Sequence, residues 1–262
     1  LIAMKNVVLY NAPQSTCSQR VRYVLNAKGI GFEEHKLDLF SGDQLRPEYI
    51  AINPNAVVPS LIHDGAIVLD SAVIMEYVED MAPDVAPMRP HDPLAVARMR
   101  FMMRYIDEVP TPAVRIPSYN VAFLPHFQAM TEEEFQAVCE AKPLRRDFLR
   151  RMGRTGFPQE DMDNATARLR QGVERLAVWI DESGGPWAMG PDLTLADLAI
   201  MPVIVRMDDI EMGHLWDDKP AVQAWLERLR ATAPFAPTYY HGSLLSEKYP
   251  HLPRSFRRAA QD

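Results

Sequence analysis

Ser15, Thr16, Cys17 and Ser18 place three hydroxyls and a thiol on four consecutive residues. Just before them, Asn11-Ala12-Pro13 breaks the hydrophobic run Val7–Tyr10, which reads as the end of a strand. Just after them an amphipathic pattern begins, with Val21, Leu25 and Lys28 at helical spacing. A strand, a short loop and a hydroxyl cluster at a helix start make a place to hold an anion. The free N–H groups and the positive end of the macrodipole both point there. The simpler role is that Ser15 or Thr16 only caps the helix, worth about 1 kcal/mol. Successive helical side chains turn by about 100°, so the four groups cannot all face one ligand.

The elements around this cluster must position it. Glu33 to Leu39 alternates and predicts a second strand, so with a helix over 18–28 the first stretch is a βαβ unit with parallel strands. A polar stretch with a short helical turn follows. Val57 to Ile62 and Ala66 to Leu69 read as two more strands, joined by the two-residue turn Asp64-Gly65. Pro59 is out of place in a strand, because proline removes a ladder donor; a turn proline in the cis form accounts for it. Asp70-Ser71 then caps a helix running to Met81. The order is βαβ followed by ββα. Pro83 to Pro90 is proline-rich and reads as a linker.

From Asp92 on the chain predicts helices only. Asp92 is an N-cap with Pro93 at N1, and Thr131 opens a capping box with Glu134. Pro110, Pro112, Pro117 and Pro125 predict an irregular stretch over 109–130. Pro143 to Met152 is strongly basic, and Met162 to Glu182 is helical. Leu193-Thr194-Leu195-Ala196-Asp197 reads as a staple plus capping box, with Asp in the role usually held by Glu. The helix it starts is apolar on nearly every face, which predicts burial at the centre of the second domain, with a kink at Pro202. Lys219 to Thr232 is the last clear helix, and Pro234 to Asp262 reads as a tail with Arg254, Arg257 and Arg258. The expected domains are 4–82, a linker over 83–91, and 92–262.

The totals narrow the function. At 262 residues and 47% hydrophobic, the chain can fill one large core or two ordinary ones. A net charge of −7 argues against a nucleic-acid partner, which needs clustered positive charge. No apolar run approaches the roughly 20 residues of a membrane span. No leader is visible, and a cytoplasmic location is the expectation; Leu1-Ile2-Ala3 ahead of Met4 is read as an addition to the natural start. Two cysteines and seven scattered histidines show no metal-ligand spacing, so no metal is expected.

The chain resembles the soluble glutathione transferases, in which a thioredoxin-like N-terminal domain precedes an all-helical C-terminal domain. STCSQRVR at 15–22 is similar to the zeta-class signature SSCSWRVR, and GDQL at 42–45 stands where related classes carry GQHL. NPNAVVPSL resembles the loop ahead of the family's cis-proline, LDS at 69–71 the pair that holds the γ-glutamyl end, and LTLADLAIMP the buried capping box. The resemblance implies glutathione as co-substrate and a dimer, of identical subunits or with a related chain as partner. It implies a cis Val58-Pro59 bond, with Val58 and Pro59 at the edge that pairs with the cysteinyl part. Asp70 would take the ammonium, Ser71 the carboxylate, and Gln44 the glycyl end. Plain helix capping competes for Asp70 and Ser71, and an exposed polar residue for Gln44.

A narrower resemblance concerns the second half. MTEEEF at 130–135 and RTGFPQE at 154–160 look like segments of the bacterial lignin β-aryl-ether cleaving transferases, the β-etherases. It implies attack of the glutathione thiolate on the carbon bearing an aryl ether, next to a ketone, with loss of a phenol. This chain departs from that group, which has Asn-Ser at the Cys17-Ser18 positions and Gly in place of Ser15. The activating residue is therefore left between Ser15, favoured by spacing from the strand, and Ser18, favoured by that alignment. Lowering a thiol pKa of about 8.5 by two units takes about 2.7 kcal/mol. One charge-assisted hydrogen bond gives about 1.5–3 kcal/mol, and a helix end about 0.3–1 more. Cys17 is read as a buried small hydrophobe, the alternative being a mixed disulfide with glutathione. Tyr105, Tyr119 and Phe123 are candidate walls for a small aromatic substrate, ordinary core packing being the alternative for each. A zeta-like cis-trans isomerase and a non-catalytic binding subunit are the competing functions.

Overall fold

The computed structural model describes residues 5–252. Strand β1 (Val7–Asn11) leads through the Ala12–Ser15 loop into helix α1 (Thr16–Ala27), and β2 (Glu33–Lys36) returns parallel to β1. A 3-10 turn (Asp43–Leu45) and α2 (Pro47–Ile52) come before β3 (Ser60–His63) and β4 (Ala66–Leu69), which form the expected hairpin. Asp64 and Gly65 both have positive φ, 49° and 81°, as a tight hairpin of right-handed strands requires. The sheet order is β2-β1-β3-β4, with β3 antiparallel to both neighbours. Helix α3 (Ser71–Met81) completes the thioredoxin-like unit. Leu9 and Leu61 of the sheet are fully buried, as are Val24 and Leu25 of α1 and Ile74 and Met75 of α3.

Several boundaries differ from the expectation. β2 ends at Lys36, and residues 37–39 form cavity wall instead of strand. Val57 and Val58 precede β3 and lie outside it; the Val58-Pro59 bond is cis, as the resemblance implied. The Pro83–His91 segment, the expected linker, is tied to α1 and α3. The Lys28 ammonium, buried at the end of α1, takes the carbonyls of Ala82 and Val85 at 2.9 and 2.8 Å and pairs with Glu79 at 2.8 Å. Glu79 Oε1 accepts the Met88 N–H.

The helical domain runs through α4 (Pro93–Glu108), α5 (Pro110–Ser118), α6 (Leu124–Gln128), α7 (Glu132–Glu140), α8 (Arg146–Met152), α9 (Gln159–Ser183), α10 (Leu195–Asp209) and α11 (Pro220–Arg230). Asp92 caps α4, accepting the Ala95 N–H, and the Thr131–Glu134 capping box closes both ways. The proline-rich stretch is helical, contrary to the irregular path predicted. Pro110 and Pro112 sit in the first turn of α5, where no ladder donor is needed. Pro117 is inside the helix, and a π turn over Tyr119–Phe123 follows it before α6. Gly172 of α9 lets Pro110 approach closely: a Cβ there would lie 2.9 Å from the proline ring. As predicted, α10 is buried on nearly every face; it runs unbroken through Pro202. Asp197 accepts the Thr194 and Ala188 N–H groups and the Trp225 indole. No helix among the described residues is long and apolar enough to cross a membrane.

Residues 235–252, expected as part of a tail, are built into the fold. Of their short helices, α12 (Phe235–Thr238) packs on α1 and α13 (Leu245–Lys248) on α10, where Asp209 accepts the Leu245 N–H at 2.6 Å. Buried Arg22 of α1 donates to Thr238 O at 2.9 Å, to Ser243 Oγ, to Asn11 Oδ1 at 2.6 Å and to Pro13 O at 2.9 Å. Gln19 bridges Pro13 O and Ser243 O. These bonds fix the loop that carries the hydroxyl cluster. Arg254, Arg257 and Arg258 lie outside the described residues.

Candidate active site

The hydroxyl cluster splits as helical geometry requires. Ser15 is the N-cap of α1, which starts at Thr16, two residues earlier than predicted; its Oγ accepts the Ser18 N–H at 3.2 Å and its own O–H remains to donate. Ser15, Thr16 and Cys17 line a cavity of about 340 Å³ between the two domains. Ser18 does not. It is 0% exposed, and its Oγ turns back to accept the Ala12 N–H. The structure thus separates the two residues between which the sequence left the activating role.

Cys17 is not the buried hydrophobe expected. It sits on the cavity wall above the fully buried Arg20, whose guanidinium lies 3.7 Å from the thiol and 2.7 Å from Asp107 of α4. Burial pushes the thiol up, but Arg20 and then Arg115 outweigh it, with a further contribution from the Ser71 hydroxyl. The Cys17 thiol is held below the ordinary cysteine range.

Across the cavity stands Val58. Neither its N–H nor its carbonyl is hydrogen-bonded by another described residue, whereas the preceding Val57 carbonyl is taken by Tyr49 at 2.6 Å and Asn53 at 2.9 Å. An open backbone pair beside a cis-proline is a strand edge that an extended peptide can join. Pro59 itself is buried behind it and does not reach the cavity. Gln44 is 3% exposed, so it is not the surface residue that competed for it. Its amide N–H holds Leu39 O at 3.1 Å, and its Oε1 is buried at the cavity with no partner, an acceptor awaiting a donor. Asp70 and Ser71 lie at the N-terminus of α3, outside the main wall. Asp70 caps the helix through one oxygen, bonded to the Ala72 and Val73 N–H groups, and does so from a φ of +72°. Such a conformation in a non-glycine residue costs on the order of 1–3 kcal/mol and is held where a side chain must point a particular way. Ser71, mostly buried, joins the cavity end through Cys17.

The aromatic expectations divide. Tyr119 and Phe123, both in the π turn, line the cavity and pack edge to face at 4.9 Å. Phe40 stands against Phe123 at 5.0 Å. Tyr105 is elsewhere; it packs against Trp179 at 5.8 Å beneath Arg175, in the core. Sequence reasoning missed the cationic part of the wall: Arg115, Lys142, Arg145 and Arg206. The basic run over 143–152 was visible, but nothing in it said that Arg145 faces inward. Arg206 of α10 donates to Ser118 Oγ and to the carbonyl of Gln14, tying the hydroxyl loop to the helical domain.

The arrangement can bind a peptide-like anion along Val58, put its thiol near Ser15 at the α1 N-terminus, and hold a second molecule against Tyr119 and Phe123. Comparison with known proteins agrees. The family model for the glutathione S-transferase N-terminal domain matches residues 9–86, and that for the C-terminal domain matches 161–228. The chain is 30% identical to protein LigF of Sphingobium sp. over 85% of this chain and 89% of that one. The crystal structure of beta-etherase LigF superposes with a TM-score of 0.81 at 28% identity, covering 89% of this chain and 98% of that one. A probable maleylacetoacetate isomerase of Caenorhabditis elegans is 29% identical over 75% of this chain and 77% of that one. A glutathione transferase of Burkholderia graminis, crystallised with two glutathione molecules per subunit, shares the fold at a TM-score of 0.69 and 20% identity, over 90% of this chain and 88% of that one. The chain belongs to the glutathione S-transferase family of enzymes, with glutathione as its co-substrate.

Proposed function

We propose that this transferase cleaves β-aryl ethers of lignin-derived aromatics. One observation carries the reading: the aromatic pair Tyr119 and Phe123 faces the Ser15–Cys17 turn across a single cavity. Similarity to LigF along most of both chains supports it. Glutathione lies along Val58, with its glycyl end toward Gln44 and its γ-glutamyl end toward Asp70 and Ser71. The Ser15 hydroxyl donates to its sulfur, and the α1 N-terminus adds its field. Together these supply roughly the 2.7 kcal/mol needed to keep the thiolate two units below its free value. The thiol proton goes to solvent. The thiolate attacks the carbon bearing the aryloxy group; the C–S bond forms as the C–O bond breaks, and the adjacent ketone accelerates displacement at that carbon. The phenolate leaves with the bonding pair and takes a proton from water.

A glutathione-dependent cis-trans isomerisation is the second reading. The STCSQRVR stretch, the isomerase relatives and a cationic wall suited to a diacid favour it. One assay pair separates them: phenol release from an α-keto aryl ether against isomerisation of a cis-enone diacid, each with glutathione. Phenol release alone is the expected result. Isomerisation without phenol release moves the assignment to the second reading, and glutathione binding without either leaves a binding subunit.

A further inference from the structure

We infer that the aromatic acceptor carries a carboxylate, held by Arg115, Lys142 and Arg145 with the Thr111 hydroxyl beside them. This rests on the reading that the acceptor fills the cavity next to glutathione. Six cationic side chains line that cavity and only one carboxylate, Asp38. Three of the six are already engaged. Lys36 lies 3.7 Å from Glu34 and over the Tyr240 ring, Lys248 faces Asp38, and Arg206 is bonded to Ser118 and Gln14. The other three have no carboxylate within 4 Å among the described residues. Arg115 lies over the face of Phe148, and Arg145 donates to the adjacent Leu144 carbonyl.

Burial pulls Arg115 and Lys142 below their usual ranges, and Arg145 repels Arg115 further. Grouped, partly desolvated cations of one sign destabilise the fold unless something of opposite sign enters. The Cys17 thiol answers part of this, but Arg20 already holds it. Thr111 is an independent sign of a ligand. It is 7% exposed, lines the cavity one helical turn before Arg115, and its Oγ1 has no partner. A carboxylate supplies two acceptor atoms for these donors. The cluster stands on α5 and the α7–α8 loop, on other elements than Val58, Gln44 and Ser71, to which the proposed reading assigns glutathione.

The test uses unreactive probes, so its outcome does not depend on ether cleavage. S-Benzylglutathione is titrated calorimetrically against the ortho-, meta- and para-carboxybenzyl analogues. At least one analogue should bind tenfold or more tighter, the size of a charged hydrogen bond. That ratio should fall toward one in Arg115→Gln and in Lys142→Gln; the second lies on a loop, free of α5 packing. No gain for any analogue overturns the inference, and so does a gain that survives both substitutions. If the analogues behave as expected while no aryl ether is cleaved, the acidic acceptor stands and the etherase reading falls.

Discussion

Ser15→Ala isolates the group that activates the thiol. The substitution removes one O–H donor at the α1 N-terminus and leaves the helix and its field in place. A hydrogen bond to a charged group is worth about 1.5–3 kcal/mol, and one pKa unit is 1.36 kcal/mol. The bound glutathione thiol should therefore titrate about one to two units higher. The same substitution removes the N-cap acceptor of the Ser18 N–H and should lower stability by about 1 kcal/mol. The assay is thiolate absorbance of the glutathione complex against pH. Cys17, held below the ordinary cysteine range in the same cavity, would add its own thiolate signal, so the titration is run in a Cys17→Ala background. Ser18→Ala is the control. Its Oγ is turned to the Ala12 N–H, so the titration should not move, while stability falls by about 1–3 kcal/mol for an orphaned buried donor. An unchanged titration in Ser15→Ala, or a shifted one in Ser18→Ala, refutes the reasoning.

Cys17 should alkylate with iodoacetamide at lower pH in the folded protein than in the unfolded chain, and Cys139, buried with its thiol pushed up, should stay unmodified until unfolding. By linkage, a depressed folded pKa gives Cys17 a stabilising contribution present above the unfolded value, about 8.5, and lost as pH falls through the folded value; denaturation of wild type against Cys17→Ala across that window checks the sign. Arg22→Leu removes one guanidinium from five acceptors around the hydroxyl loop and should cost about 3 kcal/mol or more by chemical denaturation, since each buried acceptor left unpaired costs about 1–3; a loss under 1 kcal/mol would show that the 234–252 segment does not hold that loop. Ile67, Val73, Leu94 and Phe101 are exposed apolar residues of β4, α3 and α4, an apolar set suited to a second copy of the chain. Phe101→Asp should convert a dimer to a monomer by light scattering, whereas a wild-type monomer would reject the dimer outright.

The local elements were legible because local rules govern them. Period-two and helical hydrophobic patterns marked the sheet and most helices, Asp64-Gly65 marked the hairpin, and Asp92, Thr131 and Thr194 marked helix starts. The motif stretches led to Ser15, Val58 and Gln44, and residue type led to Tyr119 and Phe123; all five line one cavity. What one residue's neighbours along the chain cannot decide is which side of an element faces which partner. Ser18 and Cys17 are adjacent and chemically similar, yet a rotation of about 100° sends one to the Ala12 N–H and the other to the cavity. Tyr105 and Tyr119 had equal claims by type, but Tyr119, which opens the π turn, lines the cavity, whereas Tyr105 of α4 packs against Trp179. The prolines over 110–125 suggested an irregular path by propensity, and packing such as that of Pro110 against Gly172 overrode it. The C-terminal stretch has no strong period, so its role emerged only from bonds spanning more than 200 residues, such as Arg22 to Thr238 and Gln19 to Ser243. The charge of the site was hidden for the same reason: a chain of net charge −7 folds so that Arg115, Lys142 and Arg145 converge on one cavity. Sequence determined the elements and the chemistry they carry, because those depend on near neighbours; the tertiary structure decided which groups meet, because that depends on packing between distant segments.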